Sequence, residues 1–508
     1  MDRIVIRKDT YVDSVFLMAL SAELAKTPAL EAGHVVLATP ANRQLLEQQG
    51  FAAGSLHGLS PTDLVIALRA PSEATLAEAE QRTLSLLTAK THAGASAAER
   101  PVGLTGGLAQ LPDATLALIS VPGQYAAFEA GRALDAGLHV MIFSDNVALE
   151  DEVALKRRAT SRGLLVMGPD CGTALISGKP LGFANRLRPG PIGLVGASGT
   201  GLQEVSCQIH RLGGGVSHML GTGGRDLSSA VGGLTTLAAI DALAADPATS
   251  VLVVVTKPPA REVAAAVLDR LAALDKPSVV IFLGDAARPE RGRVRIARDL
   301  SEAARLACDL SSAGSPRGGQ PGAPTPDAAS LARALSPTQR HVRGLFCGGT
   351  LAAEALLLLR GRIGAVSSNL DHGVPTPTEA GHSIIDLGDD EFTRGRPHPM
   401  FDPTLRAEHI VRRGGDRTTA VLLLDLVLGA GSHADPAGCT TPAIAEARSR
   451  NPGLVVICSI TGTDLDRQGL AGQQAALLQA GAVVAPSNVA GARLAAGVIE
   501  KQSEEGRP

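Results

Sequence analysis

The sequence predicts an α/β protein with parallel sheets, and three observations carry that prediction. Short Val/Ile/Leu runs recur along the chain, each followed by a glycine-bearing turn and a longer Ala/Leu/Glu/Arg segment, the pattern of β-α units. The runs are apolar throughout rather than alternating, as strands covered by helices on both faces must be. The 57 glycines supply many tight strand-to-helix turns.

Taken in order, RIVIR at 3–7, HVVLA at 34–38 and the segment 62–68 predict the first strands. TLALISV at 115–121, LHVMIF at 138–143 and 163–167 predict the next group, with a helix at 124–136 after Pro122-Gly123. PIGLVG at 191–196, SVLVVV at 250–255 and SVVIFL at 278–283 follow, with helices at 201–212 and 261–274. The segments 342–346, 419–427 and 454–459 (LVVICS) complete the strands, with helices at 350–360 and 443–449.

At roughly 100–200 residues per domain, 508 residues form three to four domains. Residues 311–328, SSAGSPRGGQPGAPTPDA, have no apolar period and read as a flexible tether. A softer boundary lies near 185–190. The predicted divisions are an N-terminal α/β region at 1–95, further α/β units at 96–187 and 188–310, the linker at 311–330, and a last unit at 335–500. The units on either side of the linker look like distant copies. PIGLVGASGTGLQE (191–204) and HVRGLFCGGTLAAE (341–354) are both strand, small-residue turn ending in Gly-Thr, then helix. Each is followed by a Gly/Asp-rich loop, at 220–233 and 386–403, so a duplicated flavodoxin-like domain is the simplest account.

Composition narrows the function. Lys plus Arg (47) and Asp plus Glu (50) nearly cancel, which argues against a dominant basic nucleic-acid surface. No Trp, two Tyr and nine Phe leave few rings for base stacking. Six dispersed cysteines form no Cys-x-x-Cys pair, against a disulfide framework or a zinc ribbon. The start lacks a charged segment followed by an apolar stretch, so no signal peptide is expected. The apolar run 419–431 is too short to span a bilayer and carries Asp425. A cytoplasmic protein without membrane or nucleic-acid partners is expected.

Two turns are the leading candidates for chemistry. Ala197-Ser198-Gly199-Thr200-Gly201 follows a strand and opens a helix, so its N–H groups and the helix dipole converge on one anion site, with Ser198 and Thr200 adding hydroxyls. Cys347-Gly348-Gly349-Thr350 repeats the arrangement. The structural alternative is that Gly permits the turn and Thr caps the helix. Neither turn is a Walker A motif, and the strict dinucleotide fingerprint is absent. Arg225-Asp226, in a Gly-rich loop, offers a guanidinium fork for an anion or, equally, a helix start. His433 follows a strand and the Gly429-Ala430-Gly431 turn, where parallel sheets present ligands. Cys171 is a weak nucleophile candidate. No histidine pair has zincin spacing, and no metal is expected.

These residues resemble the FdrA family, relatives of succinyl-CoA synthetase. The match is carried by GPIGLVGASGTGLQEVSCQIHRLGGGVSHMLGTGGRDLSSAVGG (190–233), by Ser120-Val121-Pro122-Gly123 and by Gly168-Pro169-Asp170-Cys171-Gly172. The resemblance implies a Rossmann-like CoA-binding-type domain at 96–187 and two flavodoxin-like ligase domains at 188–310 and 335–500. Two departures matter. The synthetase phosphohistidine segment, a Gly-His-Ala-Gly after the last α-domain strand, has no counterpart, since the segment that follows SVVIFLG here, DAARPERGRVRIARDLSEA (285–303), holds no histidine, and the ATP-grasp domain is missing. The resemblance therefore implies a subunit of an oxamate carbamoyltransferase, interconverting oxalurate plus phosphate with oxamate plus carbamoyl phosphate in ureide breakdown. The expected catalytic residues are His433, Arg225 and Asp226, and the expected anion-binding residues Ser198, Gly199, Thr200, Gly201, Gly348, Gly349 and Thr350. No cofactor is required, CoA is allowed, and a hetero-oligomer with subunits of the same pathway is expected. The alternatives are an acyl-CoA synthetase component working with a separate ATP-grasp chain, and a non-catalytic binding or assembly subunit.

Overall fold

The structure is a computed structural model that describes all residues except 9, 11, 13–15, 18–19, 22–23, 25–26, 28, 94–100, 102, 286–288, 312–325, 372–379, 394–395 and 506–508. Most of the expected linker lies outside the described residues. The chain forms two compact units, residues 1–102 with 390–398, and residues 103–389 with 399–508.

The first unit holds an antiparallel sheet in the order β1-β3-β2, from β1 (Asp2–Arg7), β2 (Ala32–Leu37) and β3 (Leu64–Arg69). Its centre, β3, is buried at Leu64, Val65, Ile66, Ala67 and Leu68, with helix Glu73–Ala93 packed on it. The central strand is thus apolar from Leu64 to Leu68, as burial on both faces requires.

The second unit contains three sheets. A small parallel sheet joins β4 (Leu116–Ile119), β5 (His139–Ile142) and β6 (Val166–Met167). The seven-stranded sheet runs β13-β12-β11-β9-β10-β7-β8, from β7 (Thr173–Ile176), β8 (Lys179–Gly182), β9 (Pro189–Gly196), β10 (Val216–Gly221), β11 (Val251–Thr256), β12 (Ser278–Phe282) and β13 (Val294–Ile296). The six-stranded sheet runs β15-β16-β14-β17-β18-β19, from β14 (His341–Phe346), β15 (Val366–Ser368), β16 (His382–Asp386), β17 (Thr419–Val427), β18 (Val455–Thr461) and β19 (Val483–Ala485).

In each large sheet five parallel strands share one order. β10-β9-β11-β12-β13 corresponds to β16-β14-β17-β18-β19, with the first strand of each set next to centre, the doubly wound flavodoxin order. The expected duplication is therefore present, and one buried cluster runs through both sheets, from Ile192 and Val253 to Val421 and Ile457.

Several strands escaped the sequence reading. β7 and β8 form a hairpin closed by Ser177-Gly178, both at positive φ (48° and 75°), the two-residue turn that suits strand twist. β10 (VSHMLG) and β16 (HSIID) dilute their apolar residues with Ser, His and Asp, so no uniform apolar run marks them. The loop read at 386–403 begins with the last residue of β16 and holds a short helix, Asp390–Thr393.

Candidate functional site

β9 ends at Gly196, and Ser198 caps helix Gly199–Arg211 by accepting the Gly201 N–H at 3.2 Å. β14 ends at Phe346, and Gly348 opens helix Gly349–Ile363 without a side-chain cap. Because both strands are central in their sheets, both helices start at a carboxyl edge, where α/β sheets gather ligands.

The two starts meet. Ser198 Oγ and Thr350 Oγ1 are 2.5 Å apart, and both residues are buried. A Cβ added at Gly348 would lie 3.0 Å from Thr200 Cγ2, and one at Gly201 would lie 3.1 Å from Thr350 Cγ2, so the approach depends on glycine. First-turn N–H groups have no partner inside a helix. Among the described residues no hydrogen bond reaches the N–H groups of Gly199, Thr200, Gly349 or Thr350. Two positive helix ends therefore converge beside unpaired donors, an arrangement that favours an anion.

The protein supplies part of the counter-charge itself. Asp425 in β17 accepts the Cys347 and Gly348 N–H groups, each at 2.9 Å. Arg406 reaches Cys347 Sγ at 3.2 Å and donates to the Asp425 carbonyl. Burial raises the Asp425 carboxyl against the pull of Arg406 and the two N–H groups. Asp386 ends β16 beside the second helix start. A Cβ at Gly349 would lie 2.6 Å from Asp386 Oδ2 and 3.8 Å from Lys257 Nζ. Burial pushes the Asp386 carboxyl up to about 7, opposed by the Gly388 N–H and by Lys257.

The structure thus brings Ser198, Gly199, Thr200, Gly201, Gly348, Gly349 and Thr350 to one place, but the Gly348 N–H is already taken by Asp425. It puts Arg225 and Asp226 to other use. Asp226 has no exposed surface; its carboxylate accepts from Lys156 Nζ, the Thr235 and Thr236 N–H groups and the Thr236 hydroxyl. Arg225 donates to Glu152 and to the Val147 carbonyl. In place of the expected anion fork, the pair clamps helix Leu149–Ser161 to the β10 loop, because a buried carboxylate must be filled with donors. His433 Nδ1 accepts the Asp435 N–H at 3.0 Å, and its ring lies 3.7 Å from Cys439 Sγ. It therefore helps shape the start of helix Pro436–Arg450. Cys171 is buried, and burial pushes its thiol up to about 12, the reverse of an activated nucleophile.

Sequence reasoning missed Asp386, Asp425, Arg406 and Lys257 as members of this site. Asp425 had a signal: a carboxylate in a nine-residue strand that is otherwise apolar but for Thr419 needs partners. Arg406 had none, since it arrives from another part of the chain.

Three families match parts of the chain. The CoA-ligase family matches residues 345–499, and the CoA-binding domain family matches 188–284, within the unit read from sequence as the first ligase-like domain. The heavy metal-associated domain of AllF matches 1–101. That stretch contains no cysteine, and among the described residues no three metal-ligating side chains cluster. The α subunit 2 of the ADP-forming succinate–CoA ligase of Archaeoglobus fulgidus is 32% identical over 116 residues, 22% of this chain and 40% of that protein. The α subunit of the malate–CoA ligase of Methylorubrum extorquens is 30% identical over 146 residues, 27% of this chain and 47% of that protein. Among solved structures, the dinucleotide-forming acetyl-coenzyme A synthetase 1 of Ca. Korarchaeum cryptofilum aligns over 78% of this chain and 85% of its own, at 15% identity and a TM-score of 0.32. No helix among the described residues is long and apolar enough to cross a membrane. The protein YahF of Escherichia coli is 42% identical over 520 aligned positions, covering 99% of both chains, and this chain belongs to the same family, one built from CoA-binding and CoA-ligase domains.

Proposed function

We propose that this chain is the acyl-phosphate-handling component of a CoA-ligase-type enzyme, working with partner chains that supply nucleotide chemistry. An acyl phosphate is a mixed anhydride. A thiolate such as that of CoA attacks its carbonyl carbon, the carbon–oxygen bond to phosphate breaks, and phosphate leaves as an anion. The chain's own task is to orient the phosphoryl group and stabilise the charge that develops on it, which preorganised N–H groups do without reorganisation. The observation that carries this reading is the 2.5 Å contact of Ser198 with Thr350, which holds two helix starts from the duplicated units against each other. Lys257 stands close enough to add a positive charge. The matched CoA-ligase and CoA-binding families favour a thiol acceptor.

Carbamoyl transfer to oxamate, the activity implied by the FdrA resemblance, is the second reading. The absence of histidine from 219–340 favours it, because carbamoyl phosphate arrives already activated and needs no phosphohistidine relay. The test uses the chain with whatever chains co-purify with it. Thioester formation from acetyl phosphate and CoA, lost in Gly201→Val, is the expected result. Phosphate release from carbamoyl phosphate that depends on oxamate would replace it with the second reading. Neither reaction, together with no protection of the folded chain by phosphate against thermal unfolding, overturns both.

A further inference from the structure

We infer that Asp386 takes up a proton when an oxyanion enters between the two helix starts, so that the site binds anion and proton together. The inference rests on the anion-site reading above and assigns the group that adapts to the anion's charge. Asp386 is 6% exposed and lies against Gly349, the first residue of the second helix. Its two oxygens differ. Oδ1 accepts the Gly388 N–H at 2.9 Å, whereas among the described residues no hydrogen bond reaches Oδ2, the oxygen nearest Gly349. The Asn369 side chain pins the backbone of Asp386 on both sides, donating to its carbonyl and accepting its N–H, each at 2.9 Å, which fixes where the residue's main chain stands beside the helix start.

With the site empty, an ionised Asp386 gives the second helix start a counter-charge. An arriving dianion would put like charges a few ångströms apart in a buried setting, which strongly favours protonating one of them. The proton goes to Oδ2, the unbonded oxygen, converting it from a competing acceptor into a donor toward the anion while Oδ1 keeps Gly388. The other charged and titratable groups facing Asp386 divide the labour. Lys257, from the segment after β11, favours its charged form; Asp425 in β17 and Asp389 in the next loop repel its charge. Cys347 in the turn feels Asp386 as well, but burial holds its thiol protonated, pushed up to about 12. Asp425 is the poorer proton acceptor of the two aspartates, because Arg406 and two N–H groups already satisfy its charged form. With the ordinary burial effect placing Asp386 at about 7, it titrates where the two states exchange readily.

Sulfate is the discriminating probe, since it stays a dianion throughout neutral pH and brings no proton of its own. Calorimetric titration of the full chain at about pH 7.5, in buffers of different ionisation enthalpy, should show uptake of a large fraction of one proton per sulfate. The sulfate Kd should weaken toward tenfold per pH unit above that point. Asp386→Asn, which keeps an acceptor for Gly388, should bind sulfate with no proton uptake and a flat pH profile. Lys257→Gln should weaken binding several-fold and lower the proton uptake at this pH, because without the lysine Asp386 already holds more of its proton before the anion arrives. Sulfate binding without proton uptake in the wild type, or uptake unchanged in folded Asp386→Asn, overturns this inference and leaves the anion site standing. Sulfate that does not bind, or that binds equally well to folded Gly201→Val, overturns the anion-site reading beneath it.

Discussion

Asp425 lies in a strand whose nine residues are all buried, and four features depend on its position: the Cys347 and Gly348 N–H groups, the Arg406 guanidinium and the turn they shape. Removing it leaves Arg406 buried without its carboxylate. Asp425→Ala should therefore cost about 3–5 kcal/mol, read from urea unfolding, with Asp425→Asn costing less because an amide oxygen still accepts one N–H. A loss under about 1 kcal/mol would show that the arginine finds other partners. The raised carboxyls give the pH dependence its sign. Burial pushes Glu354 up to about 7, from an ordinary value of 4.5, so the folded chain holds that proton more tightly than the unfolded chain. The resulting stabilisation is full below about pH 4.5 and is lost as pH rises through 7. The thermal midpoint should fall between pH 5 and 8, and Glu354→Gln should flatten part of that fall. A midpoint that rises across this window would contradict the assignment.

At the scale of elements, the duplicated helix starts share a second feature. Five residues after each opening glycine stands a buried glutamate, Glu204 and Glu354. Each accepts a backbone N–H at or beside the start of the last helix of the other copy. Glu354 takes the Leu300 N–H at 2.8 Å, and Glu204 takes the Asn488 N–H at 3.2 Å. Glu204 also accepts from Thr461 and Gln208, and Glu354 from the Asn488 amide. Replacing Glu204 with Ala leaves buried donors unsatisfied, at about 1–3 kcal/mol each. Because both glutamates meet at Asn488, the double variant Glu204→Ala/Glu354→Ala should depart from additivity by about 0.5–3 kcal/mol in a double-mutant cycle. Strict additivity would mean that the two caps act independently. The repeated Gly-Thr and following Glu are visible in the sequence, but the crossing of each glutamate to the opposite copy is not, since only packing sets which helix start lies nearby.

At the scale of the whole chain, the segments on either side of 311–328 are joined within the second unit. Asn185 donates to the Leu428 carbonyl and to Asp466; Arg211 reaches the carbonyls of Ile460, Gly462 and Pro486. His210 pairs with Asp464, and Glu204 with Thr461. The Ser/Gly/Pro composition of 311–328 predicts that limited proteolysis cuts there first, into fragments of about 310 and 180 residues. These contacts predict that the fragments then elute together in size exclusion. Separation of the fragments would show the interface too weak to carry a site built from both copies, and earlier cleavage elsewhere would move the boundary.

The sequence by itself determined the α/β class, most strands, the duplication and the two Gly-Thr turns. Those features are local: an apolar run, a glycine turn and a helix start follow each other in the chain and are fixed by backbone geometry and burial. Only the tertiary structure decided how the turns are used. Ser198 and Thr350 are 152 positions apart, and Asp425 lies 77 positions from Gly348, so nothing in their spacing announces contact. Arg225, Asp226 and His433 showed the converse. Their residue types suit anion chemistry anywhere, but the partners within reach, Lys156, Glu152 and the Asp435 N–H, were brought there by folding and satisfied them first. A polar side chain has no role until its neighbours are known, because burial makes every unpaired donor or charge costly and the fold chooses which pairings relieve it.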